Sequence, residues 1–409
     1  SVQIDTNSTA IGTNLNASFY SQVPVARGVG SLFYTAPGVV DGGGTGNSNP
    51  SVGGATGLEN QYQADGVNIN DAGYGGIGVY SPSYGSLGTG INLSFIEEVQ
   101  VKTGAFEPKY GKANGGVIQI VTKSGGSTYH GAVAAYFAPE FMGATPYYAD
   151  DFRQATPAQQ GLVQGKTFSQ PAYDASAELG GFIPIKGHHD RIFFFGAFNP
   201  ALNQVNWLAP ATDFASTLQS HGGYATSINA RNWAGKLTFK ITDGVSLDAS
   251  AFGDPSKSNY GYGAAYTSYN DYTNLNQHTA SGFSRWDFGS RSETVRLNAT
   301  ITPTFQVNLS GSAKTSHFTE SGYSNTYNIS DRTPGNKRTF QGLGEAQNPK
   351  TNNYGFSIDA QKTVSILGSH TFSIGWGFDR TIYKAFRDYS GAHFNFPATN
   401  AAGAPTNTI

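Results

Sequence analysis

The chain has 409 residues, only 13% of which are charged, and a formal net charge of −2 at pH 7. With no basic stripe available to neutralise phosphates, this balance implies no nucleic-acid partner, and the absence of cysteine excludes disulfides and thiolate metal sites. The 53 glycines, 23 tyrosines and 27 phenylalanines favour β structure with roomy turns over a helical soluble enzyme.

The sequence offers no membrane-spanning helix. It contains no run of about 18 or more apolar residues, and its densest apolar run is 192–198. A β-barrel stays open, because barrel strands carry a much weaker signal per segment. No basic region followed by an apolar stretch opens the chain, so we expect either a mature protein or one whose front is missing.

The first 95 residues predict short elements separated by glycine-rich loops. Residues 28–35 predict a short helix. Residues 60–70 alternate in polarity and predict a strand pair around the turn dipeptide Asp65-Gly66. The segments 41–57 and 71–90 are rich in small polar residues and glycine and predict loops.

Residues 96–126 predict two strands joined by a loop that is punctuated by glycines. The first strand is expected at 96–101 and the second, rich in β-branched residues, at 116–123. After Lys123 the pattern changes to long runs of alternating polar and apolar residues. We therefore expect a first domain at 1–126 and a second domain of different architecture at 127–409.

The second domain predicts about nine β-strands with two chemically different faces. In 295–301, for example, apolar residues at every second position alternate with Arg296, Asn298 and Thr300. The predicted strands lie near 128–138, 173–183, 191–199, 230–241, 245–254, 285–301, 305–320, 352–364 and 370–386.

The connections between these strands alternate in length. Short turns are expected near 242–244, 302–304 and 366–369, and long connections near 201–229, 255–283 and 321–353. This alternation is typical of outer-membrane barrels, with short periplasmic turns and long extracellular loops. Arg or Lys on a lipid-facing surface costs roughly 2–4 kcal/mol at mid-bilayer. Four basic residues of these strands fall on the polar face, as that cost requires: Lys236, Lys240, Arg296 and Lys314.

The segment IEEVQVKTGAFEPKYGKANGGVIQIVTKSG resembles the closing part of the plug domain of TonB-dependent outer-membrane receptors. The residues that match the family pattern are Glu98, Val99, Val101, Gly104, Tyr110, Gly111, Gly115, Gly116, Val117, Thr122 and Lys123. Earlier in the chain, Asp65-Gly66 and Pro37-Gly38 resemble two further plug elements of the family. The TKSG sequence followed by His130-Gly131 is similar to the Oar-like branch.

This resemblance implies a mainly β fold, in which a small α+β plug domain at 1–126 precedes antiparallel transmembrane β-barrel strands at 127–409. Plugged barrels of the family need about 22 strands, so about nine strands are expected to be the N-terminal portion of a longer receptor. The resemblance also implies a location in the outer membrane of a Gram-negative-type bacterium. Expected partners are a TonB-type energy-transducing protein, outer-membrane lipid and a transported ligand of unknown identity.

Two other classes of function were weighed. An outer-membrane adhesin or structural barrel would have the same strands without transport, and a TonB box upstream of Ser1 would separate it from a receptor. No arrangement of residues in the sequence supports an enzymatic function, so we expect no catalytic residue and no cofactor. The loops rich in Tyr, Asn, Ser and Gly suit ligand capture and equally suit plain solvated loops.

Three motifs have a possible ligand-binding interpretation. Residues 73–78 match GxGxxG, but they follow no buried strand and open no helix, which favours a loop. An oxygen-rich set departs from calcium-loop spacing at its third position and is expected to serve strands and turns: Asp65, Asn68, Asn70 and Asp71. His188, His189 and Asp190 could ligate a metal, but they fit better a solvated turn between two strands.

Overall fold

The structure is a computed structural model. The structure describes residues 11–20, 28–42, 48–71, 73–81, 85–88, 90–104, 111, 113–143, 167–169, 171–185, 191–207, 224–262, 283–322, 325, 328–333, 336–341, 343–391, 398–399 and 405–406. Within these residues the chain is mainly antiparallel β-sheet, arranged as one small and one large sheet. None of the helices in this part of the chain is long and apolar enough to cross a membrane.

The small sheet is built from the first 122 residues. Its region contains β1 (Ile11–Asn16), α1 (Ala17–Tyr20), α2 (Gly30–Phe33), β2 (Val39–Val40), β3 (Ser51–Val52), β4 (Gln61–Ala64), β5 (Val67–Asn68), β6 (Val79–Ser81), β7 (Gly85–Leu87), β8 (Ile96–Gly104) and β9 (Val117–Thr122), with 3₁₀ turns at Gly57–Glu59 and Leu93–Phe95. The five-stranded order is β1-β8-β9-β4-β5. The pairing is antiparallel except between β4 and β9. The predicted helix, the hairpin around 65–66 and the two strands of 96–123 are all present.

The core of the small sheet is apolar and closely packed. Phe33, Tyr62 and Phe95 are fully buried, and the β-branched residues of β8 and β9 cover the same core. The cluster continues into the large sheet through Ala234 and Phe252. The two sheets therefore pack directly against each other.

The rest of the chain contains the large sheet and three separate two-stranded sheets. The elements are β10 (His130–Ala138), β11 (Thr167–Ser169), β12 (Ala172–Phe182), β13 (Ile192–Trp207), β14 (Tyr224–Thr242), β15 (Val245–Gly253), β16 (Ser256–Tyr262), β17 (Phe283–Thr302), β18 (Phe305–Gly322), β19 (Asn328–Thr333), β20 (Asn336–Gln341), β21 (Glu345–Gln347), β22 (Lys350–Ser365), β23 (Ser369–Lys384), β24 (Arg387–Tyr389), β25 (Ala398–Thr399) and β26 (Pro405–Thr406), with a 3₁₀ turn at Glu140–Met142. The strand order of the large sheet is β10-β12-β13-β14-β15-β17-β18-β22-β23, all antiparallel, with β11 and β16 paired at its margin. The nine predicted strands are the nine strands of this path.

The long connections between strands differ from the prediction. The three short turns are present, but the long connections are partly strand, because β13 runs to 207, β14 begins at 224, and β16 and β19–β21 lie within the other two. In these extensions polar residues such as Asn203 and Asn229 stand opposite apolar ones, for example in the pair Leu202–Asn229. The alternation of polar and apolar residues is lost there, although the strands remain paired through their backbones. The turn expected at 188–190 lies outside the described residues.

Candidate functional site: the interface between the two sheets

The outer face of the large sheet carries the apolar half of each strand. Strand pairing aligns these side chains into rows, one of which contains Leu297, Leu309, Ile358 and Trp376 on four neighbouring strands. Trp376 is 61% exposed. The apolar stretch 305–313 of β18 rises by about 21 Å, at ~3.4 Å per residue and a tilt of ~40°. That height approaches the lipid-facing band of an outer-membrane barrel, which is about 25 Å tall.

The inner face of the large sheet is polar and covers the small sheet. Thr294 and Lys314 are only 7% and 6% exposed. The sequence predicted that the basic residues of these strands avoid lipid. Lys236, Arg296 and Lys314 all donate hydrogen bonds to the small sheet, while Lys240 is exposed near the short turn after β14. The polar face therefore serves as the contact surface for the first domain.

The hairpin between β4 and β5 is the most highly connected point of this interface. Asp65 and Gly66 both have positive φ, 48° and 77°, the geometry of a tight two-residue hairpin turn. The Asp65 carboxylate accepts hydrogen bonds from Thr122 N at 3.0 Å and Thr122 Oγ1 at 2.6 Å, and it pairs with the Lys236 ammonium at 3.3 Å. The Arg296 guanidinium donates to the Asp65 carbonyl. Two signature positions of the small sheet thus meet two basic residues of the large sheet.

Gly66 is required at this turn for two reasons. Its φ of 77° is a conformation that L side chains rarely adopt. A Cβ built there would also collide with the Arg296 guanidinium. The glycine that resembles the family signature therefore makes room for the basic side chain that holds the hairpin.

Two further contacts hold the residues that follow the hairpin. The Lys314 ammonium donates to the Ile69 carbonyl, and Ser316 Oγ donates to the Asp71 carboxylate. Lys236 lies 6 residues from the short turn of its strand, whereas Lys314 lies 9 residues from the start of β18. The contacts therefore move away from the short-turn end as the small sheet's chain proceeds from residue 65 to residue 71.

Buried amide and carboxylate groups complete the interface. Asp254, 2% exposed, accepts from Gly90 N at 2.8 Å and from Ser290 N and Oγ at 2.7 Å each. Asn92 Nδ2 donates to Asn199 Oδ1 at 2.6 Å, and Asn199 is fully buried. Nothing in the local sequence marks these residues. Gly90 and Asn92 lie more than a hundred positions from Asp254 and Asn199 along the chain, so only the fold brings them together.

The passage from the small sheet to the large sheet is also fixed. Lys123, the last signature residue, lies directly after β9. Its ammonium pairs with both carboxylate oxygens of Glu178 on β12, at 2.9 and 2.7 Å. The two side chains are 21% and 16% exposed. The segment that leaves the small sheet is therefore anchored on the inner face of the large sheet.

Several signature residues serve the small sheet itself. Val99, Val101 and Val117 are fully buried in its core or beside it. Glu98 points out of that core and accepts a hydrogen bond from Gln100 Nε2 at 2.8 Å. These residues therefore build the sheet.

The paired glycines before β9 permit a close backbone approach. A Cβ at Gly115 would lie 2.3 Å from Asn60 Oδ1, and one at Gly116 would lie 2.6 Å from Val52. Gly116 N also donates to Asn60 Oδ1 at 2.8 Å. The buried Asn60 side chain thus fixes the start of β9 against the 3₁₀ turn that precedes β4.

The remaining signature positions lie at turns and strand ends. Gly38 has a φ of 76° and follows Pro37 immediately before β2. Gly104 ends β8 and pairs with Ile11. Gly111 lies in a turn, and Tyr110 lies outside the described residues.

The loop 73–87 is ordered by a buried hydrogen-bond network that the sequence did not predict. Tyr74 stacks on Tyr80 with ring centroids 4.5 Å apart. Its hydroxyl donates to Ser86 Oγ at 2.7 Å, and Asn49 Nδ2 donates to Tyr74 Oη at 3.2 Å. Burial raises the pKa of Tyr74 to about 12. The glycine motif at 73–78 is part of this loop and precedes no helix.

Each oxygen-rich residue weighed for calcium already has a structural role. Asn68 Oδ1 accepts from Asn70 N, Asn70 Nδ2 donates to the Asn60 carbonyl, and Asp71 Oδ1 accepts from Gly73 N. No group of three His, Asp or Glu side chains among the described residues is placed to hold a metal ion. His188, His189 and Asp190 fall outside those residues.

Comparison with known proteins gives concordant results for sequence and fold. No family model matches the chain. It is 28% identical over 279 residues to the TonB-dependent transporter Oar of Myxococcus xanthus, covering 62% of this chain and 24% of that protein. The outer membrane transporter YddB of Escherichia coli superposes with a TM-score of 0.65 at 14% identity, over 97% of this chain and 51% of that one. Pseudomonas aeruginosa FpvA gives 0.61 at 12% identity, over 94% and 44%.

The two solved structures share the fold of this chain over most of its length. The chain spans about a quarter of the length of Oar and about half the length of the solved receptors. The lipid-facing rows, the polar inner wall and the sheet docked against it agree with these comparisons. The chain is therefore similar in sequence to a TonB-dependent transporter and in fold to outer-membrane transporters and receptors.

Proposed function

We propose that the chain is the part of a TonB-dependent receptor that gates energy-coupled uptake of a substrate across the outer membrane. Residues 1–126 act as the plug and residues 127–409 as the N-terminal part of the barrel. The partners are a TonB-type energy-transducing protein, outer-membrane lipid and a transported ligand. No bond is made or broken in the substrate, so the activity requires no catalytic residue.

The polar interface between plug and barrel is the observation that carries this proposal. A gate must be held closed and must still open under a pulling force. Hydrogen bonds join Asp65, Asp71, Gly90 and Asn92 to the barrel wall. A neutral bond of this kind contributes only about 0.5–1.5 kcal/mol net and a bond to a carboxylate about 1.5–3 kcal/mol, because water can take the place of the lost partner.

The apolar contribution to the interface is small by comparison. Ala234 and Phe252 are the barrel residues within the main buried cluster of the plug. A second cluster joins Val79 to Phe288 and Phe318. Opening a fully apolar interface would expose its whole area to water and lose the hydrophobic free energy of that area, which contact with water does not restore. This composition favours a movable plug over the permanently filled barrel of an adhesin.

The proposal is tested by the accessibility of a buried plug position in living cells. The 409 residues contain no cysteine, so Thr122→Cys provides a single thiol where the plug meets Lys236 once any cysteine elsewhere in the full-length receptor is replaced. Cells in rich medium would be treated with a membrane-impermeant maleimide, with or without TonB and with or without a protonophore. We expect labelling to accelerate only in energised cells that contain TonB.

A matched control separates gating from general leakiness. Thr371→Cys lies on β23, is exposed and has no contact with the plug. It should label at the same rate in every condition. Equal labelling of Thr122→Cys with and without TonB would contradict the proposed function and favour a static barrel.

A further inference from the structure

The polar contacts between the plug and the barrel wall are not equally complete. On β13, Asn199 Oδ1 accepts hydrogen bonds from Asn92 at 2.6 Å and from Asn232 at 2.9 Å. Asn199 Nδ2 donates to the Asp174 carboxylate and to the Ala175 carbonyl, at 2.7 Å each. Every hydrogen-bonding group of this buried amide therefore has a partner while the plug is docked.

The wall formed by β18 and β22 is less complete. Lys314 and Asn353 lie opposite each other on these strands, face the plug, and are only 6% and 9% exposed. An ammonium carries three donors, but among the described residues Lys314 has one acceptor, the Ile69 carbonyl. Asn353 Oδ1 is buried and has no hydrogen-bond partner in the described part of the chain. Two neighbouring polar groups are thus withdrawn from water without full compensation.

One short segment of the plug covers this wall. Lys314 is held by the Ile69 carbonyl, and in the next row toward the long connections Ser316 Oγ donates to the Asp71 carboxylate. Toward the short turns, Ser310 and Ser357 are half-buried and hydrogen-bond to each other at 2.7 Å across the two strands. The seal on the β18–β22 wall is therefore carried by plug residues 69–71.

We propose that the substrate path opens between plug residues 69–71 and the β18–β22 wall. A buried polar group without a partner costs its full desolvation free energy in the closed state, and opening returns it to water. Separation at Lys314 and Asn353 is favoured for that reason, whereas at Asn199 the closed state already satisfies every group. The inference rests on the proposed function, because it locates the opening of the gate.

The same residues indicate which chemistry the open path accepts. The Lys314 ammonium has N–H groups to spare, and the hydroxyls of Ser316 and Thr351 lie in the adjacent row. A surface of this kind binds oxygen acceptors and repels cations. The path therefore suits an oxygen-rich substrate that is anionic or neutral.

The experiment compares two equally buried positions of the barrel wall in living cells. Thr351→Cys lies beside the proposed opening, and Ala234→Cys lies in the main buried cluster; the native side chains are 6% and 8% exposed. Each variant of the full-length receptor, with any other cysteine replaced, would be treated with the impermeant maleimide, with or without TonB and with or without a protonophore. In energised cells that contain TonB, we expect Thr351→Cys to label at least about tenfold faster and Ala234→Cys to label at an unchanged rate.

The outcomes separate this inference from the proposed function. Equal acceleration at both positions, or acceleration at Ala234→Cys alone, would overturn the proposed path. If Thr122→Cys responds to TonB and Thr351→Cys does not, the path is wrong and the gate stands; if Thr122→Cys does not respond, the gate itself is wrong. Asn353→Cys repeats the test should Thr351→Cys lack the heat-modifiable migration of a folded barrel.

The charge of the thiol reagent tests the chemistry of the path. Thr351 is a diagonal neighbour of Lys314, about 7 Å away between Cβ atoms. After normalisation to the exposed Thr371→Cys, an anionic methanethiosulfonate should react with Thr351→Cys about threefold faster than a cationic one, even at the dielectric constant of water. Lys314→Met should abolish this preference. A preference for the cationic reagent, or one that persists in Lys314→Met, would overturn the assigned chemistry.

Hydrogen exchange of the purified receptor tests the incomplete hydrogen bonding directly. Asn353→Leu removes the unpartnered acceptor at nearly constant volume, so the amides of 69–71 should exchange about tenfold more slowly. Asn232→Leu is the matched control, because it makes the same change at a buried amide that donates to Asn199 Oδ1, and it should not slow this exchange. Faster exchange in Asn353→Leu would mean that the native amide is fully hydrogen-bonded and would overturn the proposal.

Discussion

The ion pair between Lys236 and Asp65 gives the sharpest test of how the plug is held. The variant Lys236→Met keeps the length of the side chain and removes its charge. At 3.3 Å the gross attraction is about 5 kcal/mol at an effective dielectric constant of ~20. Part of this is offset by desolvation, since the side chains are 13% and 11% exposed.

The Asp65 carboxylate keeps hydrogen-bond donors in this variant. Thr122 N and Oγ1 still donate to it at 3.0 and 2.6 Å, so the full 3–5 kcal/mol expected for a stranded buried charge is not reached. We expect a loss of about 2 kcal/mol in the free energy that holds the hairpin. The same calculation predicts a coupling of similar size between Lys236→Met and Asp65→Asn in a double-mutant cycle.

Hydrogen exchange of the hairpin measures this loss locally. Amides of 61–69 should exchange about 30-fold faster in Lys236→Met, because 1.4 kcal/mol corresponds to a factor of about ten. The control is Lys257→Met, which removes an ion pair whose side chains are 75% and 53% exposed. That variant should change the exchange rates of the amides of 61–69 by less than about threefold. Equal effects of the two variants would refute the reasoning, because burial would then have no influence on the strength of the pair.

Three further predictions concern the plug turn, a buried tyrosine and the lipid face. Gly66→Ala places a Cβ against Arg296 at a φ of 77°, so it should cost at least about 2 kcal/mol and speed exchange at 61–69. Burial raises the pKa of Tyr74 from 10.0 to about 12. Because the unfolded chain therefore deprotonates first, the stability of the plug should fall between pH 10 and 12 by up to about 1.4 kcal/mol per pH unit. Tyr74→Phe should flatten that slope in denaturant titrations. Leu297→Arg should destabilise the barrel by about 2–4 kcal/mol in lipid vesicles, whereas Ile301→Arg, on the same outward face but near the short turn, should cost less than about 1 kcal/mol; equal costs would contradict the assigned membrane depth.

Local chemistry determined how much of the fold the sequence could predict. The strand 295–301 was predictable because lipid on one side and the plug on the other impose opposite demands on successive residues. The hairpin at 65–66 was predictable because only glycine and a few polar residues adopt its turn geometry. The strand extensions around 203 and 229 were not predictable. Outside the bilayer neither face has to be apolar, so the sequence carries no alternation there.

The contacts of the candidate site were harder to predict for a different reason. Asp254 and Asn199 occupy ordinary strand positions, and their importance arises from plug residues Gly90 and Asn92 that lie far away in sequence. The polarity of Lys314 predicted its inward orientation. Its partner, the Ile69 carbonyl, is a backbone atom that no side-chain pattern can reveal. Sequence periodicity therefore indicates which face is polar, and only the packed fold shows what that face binds.

The central claim is that each barrel strand has lipid on one side and the plug on the other, and a spin-label scan of β17 in the full-length receptor tests it most directly. The 409 residues contain no cysteine, so single cysteines from 291 to 301 need only the replacement of any cysteine elsewhere in the receptor. In lipid bilayers, labels at 295, 297, 299 and 301 should be accessible to oxygen, while labels at 294 and 296 should be immobilised and accessible to neither oxygen nor a polar nickel reagent. Accessibility without this period of two, or mobile labels at 294 and 296, would contradict the account.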